Sequence, residues 1–167
     1  IPMEIKKQFP ISEKAQNIKA IRDQMIRDVI TGKSDKFLMI IGPCSADNET
    51  AVMDYVERLA RIQEEVRDRI VIVPRIYTNK PRTTGEGYKG PLHQPDPEKA
   101  PDLLAGLIAI RKMHMDTIER TGLSAADEML YPENYRYLDG LLSYVAIGAR
   151  SVEDQQHRMT VGGMNIP

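Results

Sequence analysis

The segment from residue 75 to residue 90 concentrates positive charge in a chain whose formal net charge is -1. Its basic side chains are Arg75, Lys80, Arg82 and Lys89. With Glu86 as the one acid, four positive charges and one negative charge leave the segment at +3. An Arg guanidinium binds a carboxylate or a phosphate through two parallel hydrogen bonds, and a Lys ammonium adds a mobile point charge. The segment is therefore a candidate anion-binding loop, and the alternative is a solvated basic loop, as most charge runs are.

Reactive side chains also follow apolar runs that have the composition of strands. The runs cover residues 37–41, 70–77, 123–130 and 143–148, and the continuous apolar run at 37–41 predicts a buried parallel strand. The side chains at their ends are Cys44, Arg75, Glu128 and Arg150. Taken singly, a lone Cys is most often a small buried hydrophobe, and the two Arg side chains could form ion pairs with Glu128. The alternative is a shared site, because functional groups collect at the carboxyl ends of parallel strands in a barrel.

Apolar residues at helical spacing separate these runs. Helices are predicted for residues 12–30, 48–67, 102–122, 132–142 and 151–161. Candidate N-caps, whose side-chain oxygens can accept a hydrogen bond from the first turn, are Ser12, Asp47 or Asn48, Asp102 and Ser151. Residues 1–12 show no sustained period and predict an extended arm. Prolines predict a long loop over residues 90–101, and long loops in compact domains are often functional.

The elements alternate as β-α-β-α-β-α-β-α after the arm, which predicts a parallel sheet with helical crossovers. Such a sheet is either doubly wound or closed into a (β/α) barrel. The first strand-to-helix turn lacks GxGxxG, which weakens a dinucleotide-binding sheet. The functional side chains at the strand ends favour a barrel of the TIM type. We therefore predict an N-terminal extension at residues 1–35 and the first four β/α units of a (β/α)8 barrel at residues 36–167.

Composition restricts the class of protein. The chain has 167 residues, of which 41% are hydrophobic and 28% are charged, as is usual for one globular domain. One cysteine excludes an internal disulfide and is typical of a reducing compartment. There is no apolar run of about 20 residues and no signal-peptide pattern. A cytoplasmic protein is expected, with no membrane association and no nucleic-acid partner, because the charge balance is near neutral.

Several motifs resemble one enzyme family. They are the GPCS turn at residues 42–45, RIY at 75–77, KPRTT at 80–84, YKG at 88–90, Glu128 and GAR at 148–150, with Gln155, His157 and Arg158 behind them. In this order and spacing the chain is similar to the class I 3-deoxy-D-arabino-heptulosonate 7-phosphate (DAHP) synthases over roughly residues 35–167. The resemblance implies a metal-dependent (β/α)8 enzyme that condenses phosphoenolpyruvate with erythrose 4-phosphate, the first step of the shikimate pathway, and releases phosphate.

The resemblance also implies roles for single residues. Phosphoenolpyruvate would be held by Arg75, Lys80, Lys89 and Arg150. Erythrose 4-phosphate would be held by Lys80, Pro81, Arg82 and Thr83. Lys80 would lie between the substrates as a proton donor, and Glu128 would do acid–base work by orienting a water or a hydroxyl group. Cys44 would be a ligand of a divalent metal ion that acts as a Lewis acid. Thiolate ligation is compatible with Mn, Fe, Co or Zn and does not choose among them.

Three features depart from the family pattern. The chain stops before a fifth strand, so the remaining metal ligands implied by the family are missing. Asp127 stands where many relatives have a small residue. Gly85–Glu86–Gly87 lengthens the basic segment at residues 75–90, the cationic loop. Two functions follow: the N-terminal part of a DAHP synthase, or a non-catalytic half-barrel that binds phosphorylated ligands or a partner chain. A third, an aldolase acting on another sugar phosphate, is disfavoured by KPRTT. By analogy, residues 1–35 would make dimer or tetramer contacts and bind an aromatic amino acid effector.

Overall fold

The structure, a computed structural model, describes residues 1–80, 82 and 84–167. Its helices are α1 (Pro2–Gln8), α2 (Glu13–Ile30), α3 (Glu49–Val66), α4 (Leu103–Thr121), α5 (Tyr135–Leu138) and α6 (Gln155–Gly162). Its strands are β1 (Phe37–Ile41), β2 (Ile70–Pro74), β3 (Ala125–Glu128) and β4 (Leu142–Ala146), and a 3-10 turn spans Pro132–Asn134. No helix in the described ranges is long and apolar enough to span a membrane.

The strands form two parallel pairs that are linked into one series. β1 pairs with β2 from Phe37↔Ile70 to Ile41↔Pro74, and β3 pairs with β4. Past Pro74 the chain passes from one partner to the next, because Arg75 N donates to Ile41 O at 2.8 Å and Ile76 N donates to Ala126 O at 2.9 Å. A single parallel bridge between Arg75 and Ala126 joins the pairs. The order in space therefore follows the order in the chain, β1-β2-β3-β4.

Helices cover both sides of this series of strands. Val52, Val56 and Leu59 of α3 pack with Ile72 of β2 and Met113 of α4 in one core cluster. The strand residues that alternate with these point to the opposite face of the strands. There Ile26 of α2 packs in a second cluster with Val71, Val73 and Ala126. The alternation follows from the two-residue period of a strand, which sends successive side chains to opposite faces.

Buried polar residues tie α2 to the amino ends of the strands. Asp23 accepts hydrogen bonds from Lys19 and from the hydroxyl of Ser143, and Ser143 also donates to Ser124 Oγ at 2.6 Å. A guanidinium nitrogen of Arg22 donates to the carbonyl of Ile72. Buried polar groups are stable when they are hydrogen-bonded, so this network fixes α2 at the opposite ends of the strands from those that carry the predicted site.

Most elements predicted from the sequence are present, with capping side chains where they were expected. Ser12 Oγ, Asn48 Oδ1 and Asp102 Oδ1 accept hydrogen bonds from the amides of Ala15, Ala51 and Ala105. Gly122 ends α4 in the left-handed conformation, with φ of 70°. The proline-rich segment at residues 90–101 is a loop, as predicted.

Four details differ from the predictions. Residues 2–8 form α1 rather than an extended arm, with Pro2 in the first turn, where its missing N–H is tolerated. α6 starts later than predicted, because Asp154 rather than Ser151 accepts from the amide of His157. The predicted helix at 132–142 is only a 3-10 turn and one turn of α-helix. β1 is only partly buried, because it pairs along one edge in the described chain, and Phe37 remains 63% exposed.

Candidate functional site

The carboxyl ends of β1 and β2 approach each other unusually closely at Gly42. A Cβ atom at this position would lie 2.0 Å from the carbonyl oxygen of Arg75. Real Cβ atoms essentially never come within 3.0 Å of a neighbour, so the close approach requires glycine. Gly42 of the GPCS turn therefore lets the loop that carries Cys44 lie directly against the backbone of Arg75.

The guanidinium of Arg75 is held by the same turn. One of its terminal nitrogens donates to the carbonyl of Pro43 at 2.9 Å and contacts that of Gly42 at 3.3 Å. The guanidinium carbon lies 4.9 Å from the centre of the Tyr77 ring, a cation–π arrangement. Its buried Nε has no hydrogen-bond partner among the described residues. Arg75 is thus fixed by neutral groups, which leaves its positive charge available to an anion.

Lys80 and Cys44 form the closest contact between predicted site residues. Lys80 Nζ donates to Cys44 Sγ at 2.8 Å, although the residues are 36 positions apart. This hydrogen bond and the charge of Lys80 lower the pKa of the Cys44 thiol, with smaller contributions from Arg75 and Arg82. Cys44 is exposed, so the alternative of a buried hydrophobe is wrong. An exposed thiol among cations is the kind that ionises to the thiolate, the form that binds metals.

The cationic loop folds back on itself. Lys80 N donates to Lys89 O at 3.0 Å, and Arg82 Nε donates to Tyr88 O at 2.8 Å. The carbonyl of Tyr77 accepts from the amide of Ala46 at 3.0 Å, which ties the base of the loop to the GPCS turn. Pro81 and Thr83, predicted to contact erythrose 4-phosphate, lie outside the described residues. The arrangement holds Lys80 over Cys44 while Arg82 stays exposed.

Glu128 ends β3 and is half-buried. Burial raises the pKa of its carboxyl, the neighbouring Asp127 raises it further, and Arg75 opposes both. A Cβ on Gly148 would lie 3.1 Å from Glu128 Oε1, so the turn after β4 packs directly on this carboxyl. A carboxyl whose pKa is raised toward neutrality can both hold and release a proton, which is what acid–base catalysis needs.

Other predicted residues are not brought together in the same way. Arg150 is exposed in the turn after β4, and Lys89 is exposed and contacts Lys80 through its backbone carbonyl. Within the described chain, no ion pair joins Arg75 or Arg150 to Glu128, so the ion-pair alternative is not realised there. His157 Nδ1 lies 2.6 Å from Asp154 Oδ2 and His157 Nε2 lies 3.3 Å from Leu130 O, so both ring nitrogens contact structural groups.

Sequence reasoning missed a buried network beside Glu128. The Asp127 carboxylate accepts from the amide and the hydroxyl of Thr78, and His114 Nε2 lies 3.1 Å from it. All three residues are almost completely buried. Asp127 departs from the family pattern in the sequence itself, but His114 gives no signal there, because its partner is 13 positions away on another element.

The described residues supply one candidate metal ligand and no complete metal site. No group of three or more His, Cys, Asp or Glu side chains outside the two undescribed positions could hold a metal ion. Cys44 fits the role of a single ligand by its exposure and lowered pKa. A metal site with three or more protein ligands would therefore need residues beyond those described.

Comparison with known proteins covers nearly the whole chain. The sequence model of the DAHP synthetase I family matches residues 8–167. The chain is 38% identical over 166 residues to the Phe-sensitive phospho-2-dehydro-3-deoxyheptonate aldolase of Escherichia coli K12, which covers 99% of this chain and 47% of the relative. It is 36% identical to the Tyr-sensitive enzyme of the same organism, again over 99% of this chain and 46% of the relative.

A solved structure is similar over the same range. The phospho-2-dehydro-3-deoxyheptonate aldolase from Francisella tularensis SCHU S4 superposes with a TM-score of 0.93 at 28% sequence identity. The match covers 99% of this chain and 48% of that protein. The chain therefore spans about half the length of the relatives it matches.

Proposed function

The chain belongs to the DAHP synthetase I family, and from that premise we propose that it supplies the N-terminal half of an active DAHP synthase. The reaction would condense phosphoenolpyruvate with erythrose 4-phosphate, forming DAHP and phosphate at the entry to the shikimate pathway. The observation that carries the proposal is the contact of 2.8 Å between Lys80 Nζ and Cys44 Sγ, with Arg75 fixed beside it. It brings an anion-binding group and a candidate metal ligand together at the carboxyl ends of β1 and β2.

Phosphoenolpyruvate carries a carboxylate and a phosphate, and the proposal assigns its binding to cations at this edge. Arg75 would be the fixed fork, since its guanidinium is already oriented by the carbonyls of Gly42 and Pro43. Lys80 would contact both substrates from its place above Cys44. Lys89 and Arg150, both exposed, would complete the anion site, and Arg82 with Pro81 and Thr83 would bind erythrose 4-phosphate.

Proton transfer would be shared by Lys80 and Glu128. As the enol carbon of phosphoenolpyruvate bonds to the aldehyde carbon, the aldehyde oxygen must gain a proton, and Lys80 would donate it. Water must then add as phosphate leaves, and Glu128 would orient it. The raised pKa of Glu128 supports this role, because its carboxyl binds a proton more tightly than a solvated carboxyl does.

Cys44 would hold a divalent metal ion, either Mn, Fe, Co or Zn, together with ligands from outside this chain. When bound, the ion would supply Lewis-acid polarisation of the aldehyde. The hydrogen bond from Lys80 supports the thiolate form that such binding needs.

The strand order supports the first half of a (β/α)8 barrel at residues 36–167. Four parallel strands follow one another in space as they do in the chain, whereas a doubly wound sheet reverses its order at a switch point. The extension at residues 1–35 would serve a homodimer or tetramer and an aromatic amino acid effector. Exposed Ile1 and Met3 on and beside α1 support a contact there. We place the protein in the cytoplasm, as its single cysteine suggests.

A second function is favoured by one observation, the incomplete metal site of the described residues. A non-catalytic half-barrel would bind phosphorylated ligands or a partner chain at the same cationic edge and would not turn over.

The test records the intact mass of the purified protein and then measures phosphate release with both substrates and Mn²⁺. Release that depends on the metal, with a mass well above the 18.9 kDa of this chain, supports the synthase. Phosphoenolpyruvate binding without release at 18.9 kDa supports the half-barrel. Lys80→Met should abolish release, and Lys33→Met, at an exposed position on the α2–β1 turn, is the matched control that should retain it.

A further inference from the structure

The carboxylate of Asp127 is the centre of a buried hydrogen-bond network. Its Oδ1 accepts from the amide of Thr78 at 2.9 Å and from the amide of Glu128 at 2.7 Å. Its Oδ2 accepts from Thr78 Oγ1 at 2.5 Å and lies 3.1 Å from His114 Nε2. Exposure is 0% for Thr78 and 1% for both Asp127 and His114. A buried carboxylate is tolerated when donors surround it, and here four groups do so.

This network lies where the sheet is otherwise weakly connected. The pairs β1-β2 and β3-β4 share one bridge, between Arg75 and Ala126. Beyond that bridge, the contacts of Asp127 with Thr78 continue the connection toward the carboxyl ends. Lys80 follows Thr78 by two residues, and Glu128 follows Asp127 directly. The hydrogen bonds between Thr78 and Asp127 form a joint between the two segments. Lys80 is attached to one side of this joint and Glu128 to the other.

His114 acts on this joint from outside the site. It lies on the buried face of α4 beside Ile110 and Met113, where an apolar side chain would be expected. Its Nε2 faces Asp127, and its Nδ1 has no partner among the described residues. Because a carboxylate only accepts hydrogen bonds, Nε2 must carry the hydrogen. The imidazole thus contacts the Asp127 carboxylate from α4 and makes no hydrogen bond to the described residues of the cationic loop.

We propose that Asp127 is a positioning residue, held by His114, that sets the Thr78–Lys80 segment against Glu128. The proposal rests on the proposed function for its kinetic consequence only, because the geometry it asserts can be measured without turnover. Lys80 reports its own position through the reactivity of Cys44, which is the one cysteine of the chain and is exposed.

The first measurement is the alkylation rate of Cys44 by iodoacetamide in protein treated with a chelator, at neutral pH and well below the unfolding temperature. Asp127→Ala removes every acceptor of the joint, so Lys80 should leave Cys44 and alkylation should slow by about fivefold or more. Asp127→Asn should keep the wild-type rate within about twofold, because its amide oxygen can still accept from both backbone amides and the Thr78 hydroxyl can reverse its role. Lys80→Met gives the slow limit.

Matched variants separate positioning from general loss of stability. Asp23→Ala removes another buried carboxylate, bonded to Lys19 and Ser143 at the opposite strand ends. It should lower the unfolding temperature without changing Cys44 alkylation. His114→Gln can still donate to Asp127 and should retain the wild-type rate, whereas His114→Leu cannot and should follow Asp127→Ala. Equal alkylation rates for Asp127→Ala and Asp23→Ala overturn the proposal.

The kinetic measurement then tests the consequence. In protein that releases phosphate, Asp127→Ala should lower kcat by about 100-fold, the effect of misplacing a catalytic group by about 1 Å. The KM for phosphoenolpyruvate should change much less, because Arg75 keeps its own contacts. If wild-type protein releases no phosphate, the proposed synthase fails while the alkylation series still decides the positioning role. Slow alkylation with unchanged kcat and KM would overturn the catalytic importance of the joint.

Discussion

Among substitutions in the site, we expect Gly42→Ala to have the largest effect on stability, together with a loss of activity. The added Cβ would lie 2.0 Å from Arg75 O and 2.8 Å from both the carbonyl carbon and the Cβ of Arg75. Since real Cβ contacts essentially never fall below 3.0 Å, the ends of β1 and β2 must separate by about 1 Å to relieve the contact of 2.0 Å. The obstacle is backbone, which cannot rotate away as a flexible side chain would.

The separation has an energetic and a catalytic consequence. It would stretch the hydrogen bond from Arg75 N to Ile41 O from 2.8 Å to about 3.8 Å, beyond hydrogen-bonding distance. Losing that bond costs about 1 kcal/mol, and leaving its groups unpaired adds about 1–3 kcal/mol. We therefore expect unfolding free energy to fall by about 2–4 kcal/mol. A shift of about 1 Å between Arg75 and Cys44 should also lower kcat/KM by about 100-fold.

Urea unfolding measures the first quantity and phosphate release the second. The control is Gly162→Ala at the end of α6, where no atom lies within 4 Å of the added Cβ. That control should keep wild-type stability or gain slightly, since alanine is the better helix former. If Gly42→Ala matches Gly162→Ala in both assays, the close approach of the two strand ends is wrong.

Three further predictions concern the ionisable groups. Cys44→Ser should lower the metal retained after dialysis, and an unchanged metal content would exclude Cys44 as a ligand. Lys80→Met should raise the pKa of Cys44, because the hydrogen bond from Lys80 is the main cause of its lowering; a thiol titration by ultraviolet absorbance checks this. Burial raises the pKa of Glu128, so the folded chain binds that proton more tightly than the unfolded chain does, and stability is lost as pH rises through this pKa. Glu128→Gln should therefore stabilise the protein more at pH 8 than at pH 4, and an equal gain in urea unfolding at both pH values would contradict the burial effect.

The sequence predicted the parts of the fold that follow from local patterns. Continuous apolar runs located the strands, and side-chain caps such as Ser12 and Asn48 located helix starts to within about two residues. It failed for α1 because a helix of seven residues with one buried side chain, Ile5, has too little periodicity to detect. It failed for the start of α6 because the predicted cap is Ser151, whereas Asp154, three positions later, accepts from the amide of His157.

The site divides in the same way. That Cys44, Arg75 and Glu128 would lie at one edge followed from the rule that parallel strands share their carboxyl ends. The contact between Lys80 and Cys44 depends on the way the cationic loop folds back, and the sequence pattern does not predict that fold. Asp127 and His114 form a pair through tertiary structure only, 13 positions apart, so no helical or strand period connects them.

The exposed apolar surface of β1 connects the fold to the proposed function. Phe37 is 63% exposed and Ile41 is 39% exposed, on a strand that pairs along one edge within the described residues. An apolar strand with one unpaired edge is an aggregation hazard unless another element covers it. In a closed barrel, the last strand would pair with this edge and helices would cover the outward side chains. The same closure would bring further strand ends around Lys80 and Cys44, where the proposed metal site would take its remaining ligands. The exposed edge of β1 and the incomplete metal site of the described residues are therefore both consistent with the proposed half-barrel.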